Sequence, residues 1–270
     1  MRSTTALAAA ITSLLIVGPA RAETPPADQP ADQPASLRLT RSVELDVLNF
    51  KYRLRNGAPD RRGTSLLASD LGTGAVALAP GATLGVELWG TERVTVSGWW
   101  FRLEGRSRFE RETHFGGVTY PIGSRVSSDV RLAHLALDYR HRFRIREWIA
   151  VDVGAALELT SLRSEVGPAR LRLRGIYPTP QLGLTVTPRT WLDVELAAGG
   201  FDLPLRSGRV SVTEQTRVTL TVRWRPLDHV ALELGLRMHH LHIETDHGTT
   251  EADVLHARLR GGFVALSVTF

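Results

Sequence analysis

The sequence predicts an all-β fold: a closed antiparallel transmembrane β-barrel of ten strands. Three observations predict it. Apolar residues recur at every second position through segment after segment, the period that separates the two faces of a strand. The connections alternate between tight turns and longer polar stretches, as the two rims of an up-and-down barrel require. Beyond the N-terminus no run of about twenty apolar residues offers a membrane-crossing helix.

Residues 1–22 read as a secretory signal peptide. Arg2 precedes an apolar stretch from Ala6 to Val17, and Ala20-Arg21-Ala22 places small residues at a cleavage site after Ala22. Cleavage removes Arg2 and Arg21, lowering the formal net charge of +5 by two. Residues 23–36 repeat Ala-Asp-Gln-Pro at 27–30 and 31–34; proline and polar residues at that density cannot form a core, which predicts a disordered linker. The barrel is assigned to 37–270. The chain has no cysteine, so an exported product relies on backbone pairing and burial, and a lipoprotein anchor is excluded. Lys51 is the only lysine; the many arginines are scattered rather than gathered into one stripe, which excludes nucleic acid as a partner.

Ten alternating segments follow, near 37–54, 74–89, 93–104, 129–144, 148–160, 175–187, 191–200, 210–225, 229–242 and 255–270. In the second, Val76, Leu78, Ala82, Leu84, Val86 and Leu88 oppose Thr83, Gly85 and Glu87. In the fifth, Val151, Val153, Leu157 and Leu159 oppose Asp152, Glu158 and Thr160. In the seventh, Leu192, Val194 and Leu196 oppose Asp193 and Glu195. In the ninth, Leu232, Leu234, Leu236 and Met238 oppose Glu233 and Arg237. A soluble sandwich alternates too, but a barrel in lipid turns the apolar face outward and the polar face to the lumen. Nine or more residues per segment suit a tilted crossing. "GTER", "RIRE", "TPR" and "PLD" are the tight turns, expected at the periplasmic rim, and 55–73, 105–128, 161–174, 201–209 and 243–254 are the longer loops, expected outside. An even strand count places both termini at the short-turn rim.

Aromatic residues mark both ends. Trp89, Tyr139, Phe143, Trp148, Trp191 and Trp224 flank the short turns, and Phe50, Tyr52, Trp99, Trp100 and Phe101 lie toward the other rim, as two girdles would. Trp89, Trp148 and Trp191 carry lumen parity, so either the pleat slips there or these rings plug the barrel floor. The apolar parity switches near Leu48-Asn49, Gly98-Trp99 and Gly261-Gly262, which predicts β-bulges. Pro178 and Pro180 share one parity and lack an N–H, so the ladder is interrupted on one side. Either the wall ends there or a lateral gap admits lipid, a feature that loosely resembles acyl-transferring barrels.

The chain ends Val264, Leu266, Val268, Phe270 on a single parity. An aromatic last residue behind such alternation resembles the C-terminal signal of bacterial outer-membrane β-barrel proteins. The resemblance implies a Gram-negative outer-membrane location after export, recognition of Phe270 by the barrel-insertion machinery, and a small porin-like architecture. It assigns no activity.

Candidate functional residues fall into three groups. On the lumen parity lie Glu44, Asp46, Glu87, Asp138, Arg140, Asp152, Glu158, Asp193, Glu195, Arg217, Arg223, Glu233 and Arg237, with His134, Thr219 and Thr221. Charges of both signs in a narrow interior predict arginine–carboxylate networks, forming either a structural plug or a thin polar pore. In the long loops Arg61, Arg62, Arg106, Arg108, Arg170 and Arg172 are placed to meet lipopolysaccharide phosphates. His239, His240, His242 and His247 form a candidate metal cluster, since imidazoles suit zinc or copper. No cofactor is expected and no catalytic residue can be named. The alternatives are a metal-binding surface protein and a rim hydrolase. Omptin proteases resemble the chain in strand number and use rim aspartates with an Asp/His pair, of which Asp246-His247 is an echo. Serine-dependent lipid A deacylases carry His-x-Ser, which this sequence lacks.

Overall fold

The computed structural model describes residues 37–56, 63–202, 205–207, 210–245 and 253–270. The signal peptide and linker assigned to 1–36 lie outside the described residues, as do Arg61, Arg62, Asp246 and His247. Ten long strands form the fold: β1 (Arg38–Arg55), β2 (Val76–Leu88), β3 (Glu92–Arg108), β4 (Arg125–Arg146), β5 (Ile149–Val166), β6 (Ala169–Arg189), β7 (Leu192–Phe201), β8 (Val210–Leu227), β9 (Val230–Thr245) and β10 (Asp253–Thr269). Each pairs antiparallel with its neighbours in sequence, and β10 returns to β1 from Thr40↔Thr269 to Arg55↔Val254, closing the ring. The last residue completes the seam. Phe270 N donates to Leu39 O at 2.9 Å and Leu39 N to Phe270 O at 3.1 Å, so closure leaves no long edge unpaired there.

Over the short-turn half of the barrel the outward side chains are apolar and exposed: Val43, Leu45 and Val47 on β1, Leu182 and Leu184 on β6, Leu234 and Leu236 on β9, Val264 and Leu266 on β10. Burying a side chain of this size is worth about 1.5–3 kcal/mol, so a continuous outward belt of them suits hydrocarbon and not water. Inward over the same height stand Ser42, Glu44, Asp46, Asp138, Asp152 and Asp193.

Toward the long-loop end the two faces exchange chemistry without exchanging direction. On β1 the inward series runs Ser42, Glu44, Asp46 and then Leu48, Phe50, Tyr52, Leu54, while the outward series runs Val43, Leu45, Val47 and then Asn49, Lys51, Arg53. The expected bulges at Leu48-Asn49, Gly98-Trp99 and Gly261-Gly262 are therefore absent: the registers of β1, β3 and β10 pass through all three places unbroken. What switches is the solvent. Above the outward apolar belt the barrel stands in water and is filled like a soluble domain, with Leu48, Phe50, Tyr52, Phe101, Leu132, Leu162, Leu171, Tyr177, Ile243 and Leu259 in one core. Of the second aromatic girdle only Trp100 points outward; Phe50, Tyr52, Trp99 and Phe101 belong to this core.

The predicted long loops are mostly built structure. The stretch 161–174 is no loop: β5 and β6 continue as a hairpin turning at Gly167 and Pro168. Within 105–128 a ribbon pairs Thr113–Phe115 with Val118–Tyr120. It crosses the mouth, since Gly116 N donates to Asn56 O at 3.2 Å and Tyr120 OH to Val166 O at 2.5 Å. Its Phe115 and Tyr120 seal the core from above. Gly72, at φ 64, and Gly105 let two backbones touch: a Cβ on Gly105 would lie 2.3 Å from Leu71 O. At the other rim Trp89, Trp148 and Trp191 are exposed in the short turns and do not plug the floor. The pleat slips beside Trp148 and Trp191, between Arg144 and Arg146 and between Leu192 and Val194, whereas Trp89 sits in a tight turn at φ 52 next to an unbroken register.

Candidate functional site in the lumen and on the outer rim

Period-two geometry brings the predicted lumen residues together on one interior surface. Arg237 on β9 donates to both acids of β1, to Glu44 Oε2 at 3.2 Å and to Asp46 Oδ2 at 3.0 Å. Arg140 donates to Glu195 at 2.8 Å and to Gln181 at 3.0 Å, and Gln181 in turn donates to Asp138 at 2.6 Å. Arg217 bridges Asp138, at 3.1 Å, and Glu158, at 3.7 Å. Arg223 joins Glu233 at 3.0 Å and Asp193 at 3.8 Å. Asp152 is held by Arg142 at 2.8 Å, and Asp193 also by Arg225. Glu87 is the exception, with no ion pair among the described residues.

Three lumen arginines escaped the sequence reading: Arg93, 3.7 Å from Glu195, with Arg142 and Arg225. All three sit beside short turns, where the turn obscures the strand. The signal was parity, because Arg93 is in phase with Thr95 and Ser97, and Arg142 with Asp138 and Arg140.

Above the ion pairs lies a layer of hydrogen bonds. Gln215 donates to Glu158 at 3.2 Å and meets His239 at 3.2 Å; Thr160 shares hydrogen bonds with Tyr177, at 2.7 Å, and His134, at 3.2 Å. Trp99 stacks on His134 with ring centroids 5.2 Å apart. This layer roofs a lumen cavity of about 140 Å³ that extends from Thr40 and Glu233 at the short-turn end to Trp99, His134 and His239. Beyond it the apolar core fills the barrel.

The histidine cluster is divided by the same pleat. His239 points into the lumen, whereas His240 and His242 point outward, His240 pairing with Glu214 at 3.0 Å and His242 with Glu244 at 3.2 Å. Among the described residues no three His, Cys, Asp or Glu side chains are grouped to hold a metal ion. The expected four-histidine set therefore does not form on one face.

Pro178 and Pro180 mark a real discontinuity. β6 pairs with β5 along its whole length, but with β7 only as far as Gln181↔Gly199. The wall does not end there, since β6 continues to Ala169; side chains bridge the interval, Thr179 donating to Gln215 at 3.2 Å and Tyr177 packing edge-on to Phe201 at 5.9 Å.

On the outer rim Arg106, Arg108, Arg170 and Arg172 all point outward. They stand on strands rather than loops, because those strands outrun the apolar belt. Several rim cations are already neutralised: Asp129 accepts from Arg102 at 2.7 Å and from Arg131 at 2.5 Å, Glu165 pairs with Arg163 at 2.7 Å, and Arg170 lies 3.9 Å from it.

A closed ten-stranded ring with an outward apolar belt and a charged interior is the fold of bacterial outer-membrane β-barrel proteins. The solved structure of outer membrane protease OmpT from Escherichia coli is similar over 86% of this chain and 97% of that one, with a TM-score of 0.52 and 9% identity. That likeness establishes the fold alone. Neisserial surface protein A aligns over 87% of this chain and 99% of that one at 11% identity and a TM-score of 0.39. An outer-membrane channel from Pseudomonas putida F1 covers 92% and 100% at 9% identity and 0.41. No family model matches the chain, and no curated protein matches it in sequence.

Proposed function

We propose that this chain is a non-enzymatic outer-membrane protein whose barrel is a structural wall element, closed to solutes and held against lipopolysaccharide by outward cations. Export through the segment 1–22 and insertion directed by Phe270 belong to the same reading. The observation that carries it is the filled long-loop half. A pore needs a continuous polar path, whereas here the lumen cavity ends beneath Trp99 and a core that includes Phe50, Phe101, Leu162 and Leu171. Ten strands leave little interior beyond side chains, and the charges below are bound to one another rather than lined up along a water column. Arginine forks outside, such as Arg106 and Arg172, suit phosphate oxygens. The test is conductance in planar bilayers: the purified barrel is expected to give no channel steps, and steady steps would overturn the closed-barrel reading. Titration of the detergent-solubilised protein with lipopolysaccharide tests the second half, with saturable binding that weakens as salt is raised.

A further inference from the structure

Four cations stand apart from the ion-pair belt. Lys51 and Arg53 on β1 and Arg258 and Arg260 on β10 are all outward and exposed. Their strands pair with Lys51 directly opposite Arg258, Arg260 opposite Asn49, and Arg53 opposite His256. The four thus occupy three successive outward rungs, about 7 Å apart along strands about 4.8 Å apart. No carboxylate among the described residues forms a salt bridge with any of them. On the flanking strand β9, Glu244, opposite Val254 of β10, already binds His242.

This arrangement is costly as it stands, because like charges directly opposed across a ladder destabilise the pair. At one other place on the rim the chain offsets the cost with an acid, Asp129 binding both Arg102 and Arg131. Arg108 and Arg125 are directly opposed without a salt bridge among the described residues, but they stand four outward positions beyond Trp100, well above the apolar belt. Height identifies the missing anion. Outward from the short-turn end, β1 reads Val43, Leu45, Val47, Asn49 and then Lys51; β10 reads Leu266, Val264, Gly262 and then Arg260. The cations begin within two outward positions of the last apolar side chain on each strand, where the headgroups of an apolar-embedded ligand lie.

We infer that the β1–β10 seam is a binding site for the phosphate groups of an outer-leaflet lipid, with Lys51 and Arg258 clasping one phosphate and Arg260 and Arg53 flanking it. The inference rests on the reading of lipopolysaccharide contact above and gives it a place. The earlier candidates Arg106, Arg108, Arg170 and Arg172 are then a diffuse field rather than the site.

The test uses the full mature barrel in detergent, titrated with bisphosphorylated lipid A, with its dephosphorylated form, and with inorganic phosphate. Lys51→Gln with Arg258→Gln is expected to weaken bisphosphorylated lipid A binding about tenfold or more, while Lys51→Arg with Arg258→Lys, which keeps both charges, stays near wild type. Arg170→Gln with Arg172→Gln is expected to change binding less than twofold. Equal losses from the seam and the β6 variants would overturn the seam site and leave lipopolysaccharide contact standing. Absence of any lipid A binding by the wild-type barrel would overturn that contact itself. Undiminished binding of the dephosphorylated lipid would overturn phosphate recognition, and full occupancy by inorganic phosphate alone would make this an anion site without a lipid partner. The charge-keeping variant, with unchanged heat-dependent gel migration, separates lost binding from failed folding.

Discussion

Arg237 neutralises two carboxylates with one guanidinium, both of them buried. Arg237→Ala leaves Glu44 and Asp46 facing each other unpaired, and is expected to destabilise the barrel by about 3–5 kcal/mol. Replacing the trio together, as Arg237→Met, Glu44→Gln and Asp46→Asn, is expected to cost far less, since no buried charge remains. Denaturant unfolding in detergent measures both. Asp129, on the outer face above the apolar belt, is tested with acid instead. Burial pushes its carboxyl up, but Arg131 and Arg102 pull it down further, to about 2. A depressed carboxylate stabilises the fold above the ordinary range near 3.8 and loses that contribution as pH falls toward about 2. Wild type is therefore expected to lose a stability increment between pH 4 and pH 2 (about one carboxylate titration) that Asp129→Asn lacks already at neutral pH. An identical acid profile for the two would remove the assignment. Such pairings were only half legible in the sequence: parity assigns Asp138, Glu195 and Arg217 to one surface, but which partner each meets depends on strand stagger, which alternation leaves open.

β6 carries the clearest consequence at the scale of an element. Thr187 N donates toward β5, to Trp148 O at 2.9 Å, so odd-numbered amides of this strand face β5 and even-numbered ones face β7. Pro178 and Pro180 are even and lie beyond the last β7 pair, which is where a missing N–H costs no ladder bond. Ile176, also even, is expected to exchange its amide hydrogen rapidly, while Tyr177 and Thr179 are protected by β5. Slow exchange at Ile176 would mean that the interval is closed by backbone pairing. The ten strands themselves were legible because alternation persists for nine or more residues in each. Their long-loop ends were not. A strand that leaves lipid for water reverses the chemistry of both faces, and periodicity alone reads that reversal as a slip of one residue; the same misreading turned the β5–β6 hairpin into a loop.

Taken whole, the molecule is two solvents' worth of barrel on one set of strands, and the filled half governs both stability and closure. Phe50 and Phe101 meet edge-on at 4.9 Å in its centre. Phe101→Ala is expected to cost about 3–5 kcal/mol and to lower the unfolding midpoint, yet to leave the bilayer electrically silent, because Trp99, Leu132 and Leu171 still obstruct the path. Loss of stability without current separates a core from a gate. The location of that core was hidden from the sequence because its residues sit on the lumen parity, where polar residues were expected.

The exchange of chemistry along β1 also sets how this chain tolerates drift. At position 45 an outward arginine would be penalised and an isoleucine neutral; at position 53 the preference reverses, and inward positions 46 and 54 invert in step. A substitution map of the strand would thus show a period of two whose phase jumps by half a cycle between Val47 and Asn49, tracing the waterline of the protein residue by residue.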